Sequence, residues 1–271
     1  MEPVEFRRRL HAHPELSFKE HDTAAFIEQQ LDELGIEHRR IASTGVVARI
    51  KGRKTPEGDR RAAVLRADID ALPVTERNDC EWRSQNEGVM HACGHDAHTA
   101  VGLGVARWLM DHKDELVGKV KLIFQPSEEG TRGSSPMTAA GVVDDVDWFF
   151  GGHIGTECHS HEVGVCHDVF LATVKFDVDF TGLESHAGAA PEKGRSALLA
   201  AANAAVMLSA ISRTSEGDTR ISVGKLVAGT GRNITPAHAH MECEVRGTTS
   251  EACDFMWEKA QTVVKGAAEM L

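Results

Sequence analysis

The sequence predicts an α/β unit with a mostly parallel sheet, followed by a ferredoxin-like α+β unit. Three observations carry this expectation. Short apolar strands alternate with helical stretches up to about residue 165. Near residue 170 the pattern switches to strict apolar/polar alternation, which marks a sheet with one wet face. The order of elements after that switch is β-α-β-β-α, a ferredoxin-like arrangement without its last strand.

Residues 5–12 and 20–34 read as helices. In the second, Ala24, Ile27, Leu31 and Leu34 recur at helical spacing and Gly35 is a stop. VVARI at 46–50 and AAVLRA at 62–67 read as strands joined through the polar turn at 54–61. A helix over 99–110 and a strand over 119–124 follow. A short helix and turn at 136–145 and a strand at 146–150 complete this half. Beyond it, Val174, Phe176, Val178 and Phe180 alternate with Lys175, Asp177 and Asp179. An Ala-rich helix spans 194–212, strands span 220–229 and 238–246, and a last helix spans 250–269. The boundary falls within 165–172, giving domains of 1–168 and 169–271. Both are expected to be truncated at the C-terminus, because no fourth strand follows the last helix.

The 271 residues are 41% hydrophobic and 26% charged, ordinary for a globular protein, with a formal net charge of −11. Nucleic acid is an unfavoured partner: no Lys/Arg-rich run is long enough to make a polyanion-binding face, and RRR at 7–9 is short with acidic neighbours. No apolar stretch reaches membrane-spanning length, and the N-terminal stretch lacks the apolar core of a secretory signal. Six cysteines in a chain of this size are not a disulfide framework, so a reducing cytoplasm is the expected location.

Chemistry concentrates in MHACGHDAHT at 90–99. Cys93, His95, Asp96, His91 and His98 crowd around a glycine, and soft and borderline donors at this density suit Zn²⁺ or a similar ion. Run as an extended segment, it would project Cys93 and His95 from one side. The plain alternative is a buried Cys beside exposed histidines. Further candidates follow expected strands: Asp68 and Asp70 in LRADIDALP, Glu128 and Glu129 in QPSEEG, and His153 in GGHIG. Ligands of open α/β sheets gather outside the carboxyl ends of strands, so these residues share one edge. Adjacent Glu128 and Glu129 point in different directions: one can bind metal while the other moves a proton. A solvated acidic turn is the alternative. Asp70 can orient a metal ligand, and Asp68 can stabilise its turn.

His186 in SHAG could reach a substrate carbonyl and stabilise developing negative charge. Arg232 and Asn233 in GTGRNITP could hold a carboxylate or amide of substrate. Solvated loop chemistry is the alternative for all three. His11 and His13 read as structural, and His238 and His240 as exposed. Cys158, His159, His161, Cys166 and His167 mimic a metal cluster, but their spacing fits a loop better.

The ordered set RRRLHAHPELSFKE, LRADIDALP, MHACGHDAHT, QPSEEG, GGHIG, SHAGAAPEKGRSALLAA and GTGRNITP resembles the dinuclear metallo-amidohydrolases of the peptidase superfamily that includes carboxypeptidase G and the auxin-conjugate hydrolases. Residues 130–247 most resemble the aminobenzoyl-glutamate hydrolases, bacterial cytoplasmic enzymes that split an aryl amide of glutamate. The resemblance implies two divalent metal ions, Mn²⁺ or Zn²⁺, with Cys93 bridging them and His95, Glu129 and His153 as further ligands. It implies Glu128 as general base and acid, Asp70 as orienting carboxylate, His186 as a histidine assisting from a lid domain, and Asn233 near substrate. The 169–271 unit would be that lid, through which such chains form homodimers, and the substrate a small N-acyl or N-aroyl amino acid. The family supplies one more metal-binding histidine after the lid, so this site is expected to be a ligand short. A non-catalytic metal-binding fragment is therefore the second reading. A cysteine hydrolase using Cys93 as nucleophile is the third.

Overall fold

The computed structural model describes residues 2–130, 132–155, 159–165 and 170–270. The chain forms two compact units, Met1–Glu162 and Val163–Leu271. The sequence-derived boundary between 168 and 169 lies outside the described residues.

The first unit contains α1 (Pro3–Ala12), α2 (His21–Glu33), β1 (Glu37–Ile41), β2 (Gly45–Lys51), β3 (Ala62–Asp68), α3 (His95–Asp111), β4 (Lys119–Gln125), α4 (Ser134–Ala139) and β5 (Trp148–Gly151). Its five-stranded sheet has the order β1-β2-β4-β3-β5. The β4-β3-β5 part is parallel, and β2 and β1 join antiparallel. The fold is thus mixed α/β. Although β2 and β3 are joined through the 54–61 turn, β4 inserts between them, because the α3 crossover returns the chain parallel to β3. Strand β1 has no sequence signal: EHRRI holds a single apolar residue. It forms by pairing with β2 in a tight hairpin, Ile41 opposite Gly45.

Helix α1 begins with Pro3 and a reciprocal capping box between Glu2 and Glu5. Helix α3 begins at His95, earlier than the expected residue 99, so His95 is helical rather than extended. Gly94 enters the helix at φ 84°, a left-handed conformation that glycine adopts without strain. Apolar faces of α1, α2 and α3 cover one side of the sheet, where Ile27, Leu31, Ile50, Ile69, Leu103, Leu122 and Phe124 are fully buried. Each such side chain contributes about 1.5–3 kcal/mol on burial. Gly102 lets α3 lie close on the sheet: a Cβ there would sit 2.8 Å from Phe124 Cε1. The other side of the sheet is covered by a smaller cluster of Val47, Val64, Ile123, Met137 and Val142.

The second unit contains β6 (Ala172–Thr181), α5 (Ala197–Ser209), β7 (Thr219–Ala228), β8 (His238–Gly247) and α6 (Ser250–Glu269). The antiparallel sheet runs β6-β8-β7. Its helices bury Ala201, Ala204, Leu208, Met256 and Ala260 with Met241 and Val245 of β8. Ser196 caps α5 and Thr249 caps α6, each accepting a backbone N–H from the first turn. The expected alternation of β6 holds: Lys175, Asp177 and Asp179 are exposed and Phe180 is buried. Among the described residues no helix is long and apolar enough to cross a membrane.

Candidate metal centre

Parallel strands β3, β4 and β5 present their carboxyl ends at one edge, with Asp68 opposite Gln125 in register. The 70, 128–129 and 153 positions therefore meet there, and the start of α3 with the two residues before it brings Cys93 and His95 to them.

Cys93 Sγ lies 3.4 Å from His153 Nε2. One ligand atom each of Cys93, His95 and His153 falls within 4.8 Å of the others, and the same holds for His95, Glu128 and Glu129. The orientation of each group is set by the backbone. His95 directs Nδ1 at the Asp70 carbonyl at 2.9 Å, and His153 directs Nδ1 at the Ile154 carbonyl at 2.7 Å. In each ring Nε2 is then the nitrogen turned to the cluster, that of His153 against Cys93 Sγ. His95 is fully buried, and among the described residues its Nε2 has no hydrogen-bond partner; neither has the buried Oε1 of Glu129, 3.9 Å away. Buried polar atoms left facing one another are costly. A cation between them removes that cost. Two ligands at Zn–S and Zn–N distances around a tetrahedral ion stand roughly 3.5 Å apart, matching the sulfur–nitrogen separation. The donor set, one thiol, two imidazoles and a carboxylate, thus fits a divalent transition metal.

Asp70 is the brace of the edge. Its Oδ1 accepts the Glu128 amide and its Oδ2 the Glu129 amide, both at 3.0 Å, while Ser17 donates its hydroxyl at 2.7 Å. These donors, with His95, overcome the opposing effect of burial and hold the Asp70 carboxyl below its ordinary range. Glu128 is exposed and Glu129 half-buried, yet a carboxylate oxygen of each comes within 4.8 Å of the other and of a His95 ring nitrogen.

Asp68 and His98 do more than the sequence reading assigned. His98 Nδ1 bonds Asp68 Oδ1, and His98 Nε2 accepts the Ile154 amide at 2.8 Å. Both ring nitrogens are spent, which makes His98 an anchor for the 153 loop. Burial works against charge on Asp68, yet His98 and Arg66 keep its carboxyl at about 2. Nothing in the spacing of the motif distinguishes His98 from a ligand. Cys93, in contrast, is pushed up to about 12 by burial first and then by Glu129 and the other carboxylates. Without a cation it is a thiol.

Behind the motif, the ring of His11 lies between Asp96 Oδ2 at 2.8 Å and Glu76 Oε1 at 3.1 Å, and Arg7 donates to the same Asp96 oxygen. His91 is buried, with both ring nitrogens unpartnered among the described residues, and burial lowers it to about 4.

In the second unit the two candidate loops meet: the Ala187 amide bonds the Asn233 carbonyl at 3.0 Å, and the Thr235 amide the Ser185 carbonyl at 2.9 Å. His186 is exposed, and its Nδ1 accepts the amides of Gly188 and Ala189. Arg232 and Asn233 are exposed beside it. Cys158, Cys166 and His167 lie outside the described residues. His159 and His161 join no metal-type cluster among the described ones.

Residues 64–265 match peptidase family M20/M25/M40, and the chain belongs to this family. It is 49% identical over 235 residues to indole-3-acetyl-aspartic acid hydrolase of Enterobacter agglomerans, and 48% identical over 235 residues to one of the p-aminobenzoyl-glutamate hydrolase subunits of Escherichia coli K12. Each match covers 84% of this chain and 53% of the relative. The chain therefore spans about half the length of these curated relatives. Among solved structures it resembles an aminobenzoyl-glutamate utilization protein of Klebsiella pneumoniae, with TM-score 0.73, 37% identity, and coverage of 99% of this chain and 72% of that one. It also resembles the Bacillus subtilis YXEP protein, described as a dinuclear metal-binding peptidase of the M20 family. There the TM-score is 0.71 and the identity 33%, with 98% of this chain and 70% of that one covered.

Proposed function

We propose that this chain carries the chemistry of a metal-dependent hydrolase that cleaves the amide bond of an N-acyl or N-aroyl amino acid of the aminobenzoyl-glutamate type. The observation that carries the reading is that two overlapping groups, Cys93-His95-His153 and His95-Glu128-Glu129, come together at one sheet edge. The names of the related hydrolases support the substrate class.

Cys93, His95, Glu129 and His153 would hold two divalent ions, Mn²⁺ or Zn²⁺. The ions supply Lewis acidity, lowering the pKa of water and polarising a carbonyl. Glu128 accepts a proton from the attacking water and delivers it to the amine nitrogen of the departing amino acid. Asp70 fixes both glutamate amides and the His95 ring, so proton acceptor and ligands keep one geometry. In the second unit, the amides that bond His186 Nδ1 leave Nε2–H as the free donor, suited to an oxyanion. Arg232 pairs the substrate carboxylate and Asn233 its amide. The unit acts as a lid in a homodimer, a role supported by the exposed Leu199, Val206 and Met207 of α5. Six cysteines that do not read as a disulfide framework support a cytoplasmic location.

The test is Glu128→Gln with an aminobenzoyl-glutamate substrate and Mn²⁺. Turnover is expected to fall about 10²–10⁴-fold, with metal content within twofold of the parent chain. Loss of metal in this variant would exchange the roles of Glu128 and Glu129. A parent chain that binds metal and shows no turnover would leave the binding-fragment reading in its place.

A further inference from the structure

We propose that Glu20 is a positioning residue for the Glu128–Glu129 turn, acting on the site without touching it. The inference rests on the metallo-hydrolase reading for its consequence and on local geometry for its cause. Glu20 precedes α2 and its side chain is 0% exposed. Its Oε1 accepts the amide of Ser127 at 2.8 Å, and its Oε2 accepts the hydroxyl of Thr44 at 2.6 Å. Thr44 and Ser127 are themselves 0% exposed, so water cannot substitute for either partner. Among the described residues no cation pairs with Glu20. A carboxyl group this deep, held by neutral donors alone, is an expensive way to fill space.

The residue it grips explains its presence. Ser127 stands at φ 51°, in the left-handed region that side-chain-bearing residues avoid. It is the residue immediately before Glu128. Its carbonyl accepts the Gly133 amide at 2.9 Å, so the turn closes behind it. The amides of Glu128 and Glu129 then meet the two oxygens of Asp70. The turn is clamped twice, by Glu20 before the pair and by Asp70 at the pair. Release of the first clamp lets Ser127 relax towards ordinary backbone angles. That rotation swings Glu129 away from His95 and Cys93, although every ligand is still in the chain.

A glutamine is expected to serve as well as the glutamate: its carbonyl accepts the Ser127 amide and its amide group donates to Thr44 Oγ1. An alanine cannot do either. Thr44→Val keeps the Ser127 bond and removes one anchor of Glu20.

The test uses the full chain with cobalt(II), whose visible absorption reports thiolate and imidazole ligation. Amide hydrogen exchange of residues 127–129 is followed in parallel without metal. Glu20→Ala is expected to weaken cobalt binding at least tenfold and to accelerate exchange in that segment. Glu20→Gln should stay within twofold on both readouts, and Thr44→Val should fall between. Cobalt affinity and exchange in Glu20→Ala equal to the parent would overturn the proposal, as would a Glu20→Gln variant as impaired as Glu20→Ala. If Glu20→Ala does not fold, parent-like behaviour of Thr44→Val on both readouts overturns it. A parent chain that takes up no cobalt sinks the metal reading instead, and the exchange comparison then decides the role of Glu20 alone.

Discussion

Metal uptake by this chain should release protons in a way the geometry specifies. The Cys93 thiol is held at about 12 by burial and by its carboxylate neighbours, so between pH 6 and pH 9 it carries its proton. Only the thiolate is a ligand, and a bound cation reverses the local preference. One proton must therefore leave per thiolate formed, and the association constant should rise about tenfold per pH unit across that range. His95 adds a second contribution on the acid side. Burial lowers its pKa, but the Asp70 bond and the Asp68 and Glu129 charges outweigh burial, and the net shift is upward. Below that raised value the imidazolium must also lose a proton, so the slope steepens towards a hundredfold per unit. Titration calorimetry with Zn²⁺ in buffers of different ionisation enthalpy counts the protons directly. Cys93→Ser should remove one whole proton from the count and flatten the slope accordingly. A pH-independent affinity, or an unchanged count in Cys93→Ser, would refute Cys93 as a thiolate ligand.

The remaining predictions concern the groups around the site. His98→Ala frees the Ile154 amide and Asp68 Oδ1, and is expected to weaken metal binding about 10–100-fold, read by cobalt titration; parent-like affinity would show that the His153 loop holds itself. Gly102→Ala places a methyl 2.8 Å from the Phe124 ring. Overpacking at about 1–3 kcal/mol should exceed the roughly 1 kcal/mol gained in helix propensity, so the urea midpoint of the first unit falls; a rise would mean α3 shifts freely on the sheet. His11 has its pKa raised, first by the Asp96 bond and then, against burial, by Glu76. A raised folded-state value gives stability that is complete below the unfolded value and lost as pH rises through the folded one. The melting-temperature deficit of His11→Gln should therefore be largest near pH 5 and shrink above neutrality. A deficit that grows with pH would show that the ring is not an imidazolium between two carboxylates.

Much of the candidate site was legible because Asp70, Glu128, Glu129 and His153 follow strands whose apolar runs are plain. KVKLIF announces β4, and QPSEEG must then emerge at the sheet edge; VDWFF does the same for His153. The β6 alternation likewise located the second sheet. Elements without periodicity were not legible. EHRRI pairs as a strand because a neighbour accepts it, and the early start of α3 depends on the backbone freedom of one glycine. The anchors were hidden for a related reason. His98 reaches Ile154 across 56 positions and Glu20 reaches Ser127 across 107, and no local pattern encodes a partner that distant. Identical residue types also mask different tasks: His95 and His98 share one motif, yet distant partners, the Asp68 carboxylate and the Ile154 amide for His98, decide which keeps a free nitrogen.

The parallel arrangement of β3, β4 and β5 separates two rims of the sheet. Every proposed ligand of the first unit gathers beyond the strands' carboxyl ends, while the polar 54–61 connection enters β3 at its opposite end. Lengthening that connection by a flexible tag therefore perturbs a rim with no part in cation capture. Such a handle offers a place to immobilise the protein, or attach a reporter, with its chemistry undisturbed.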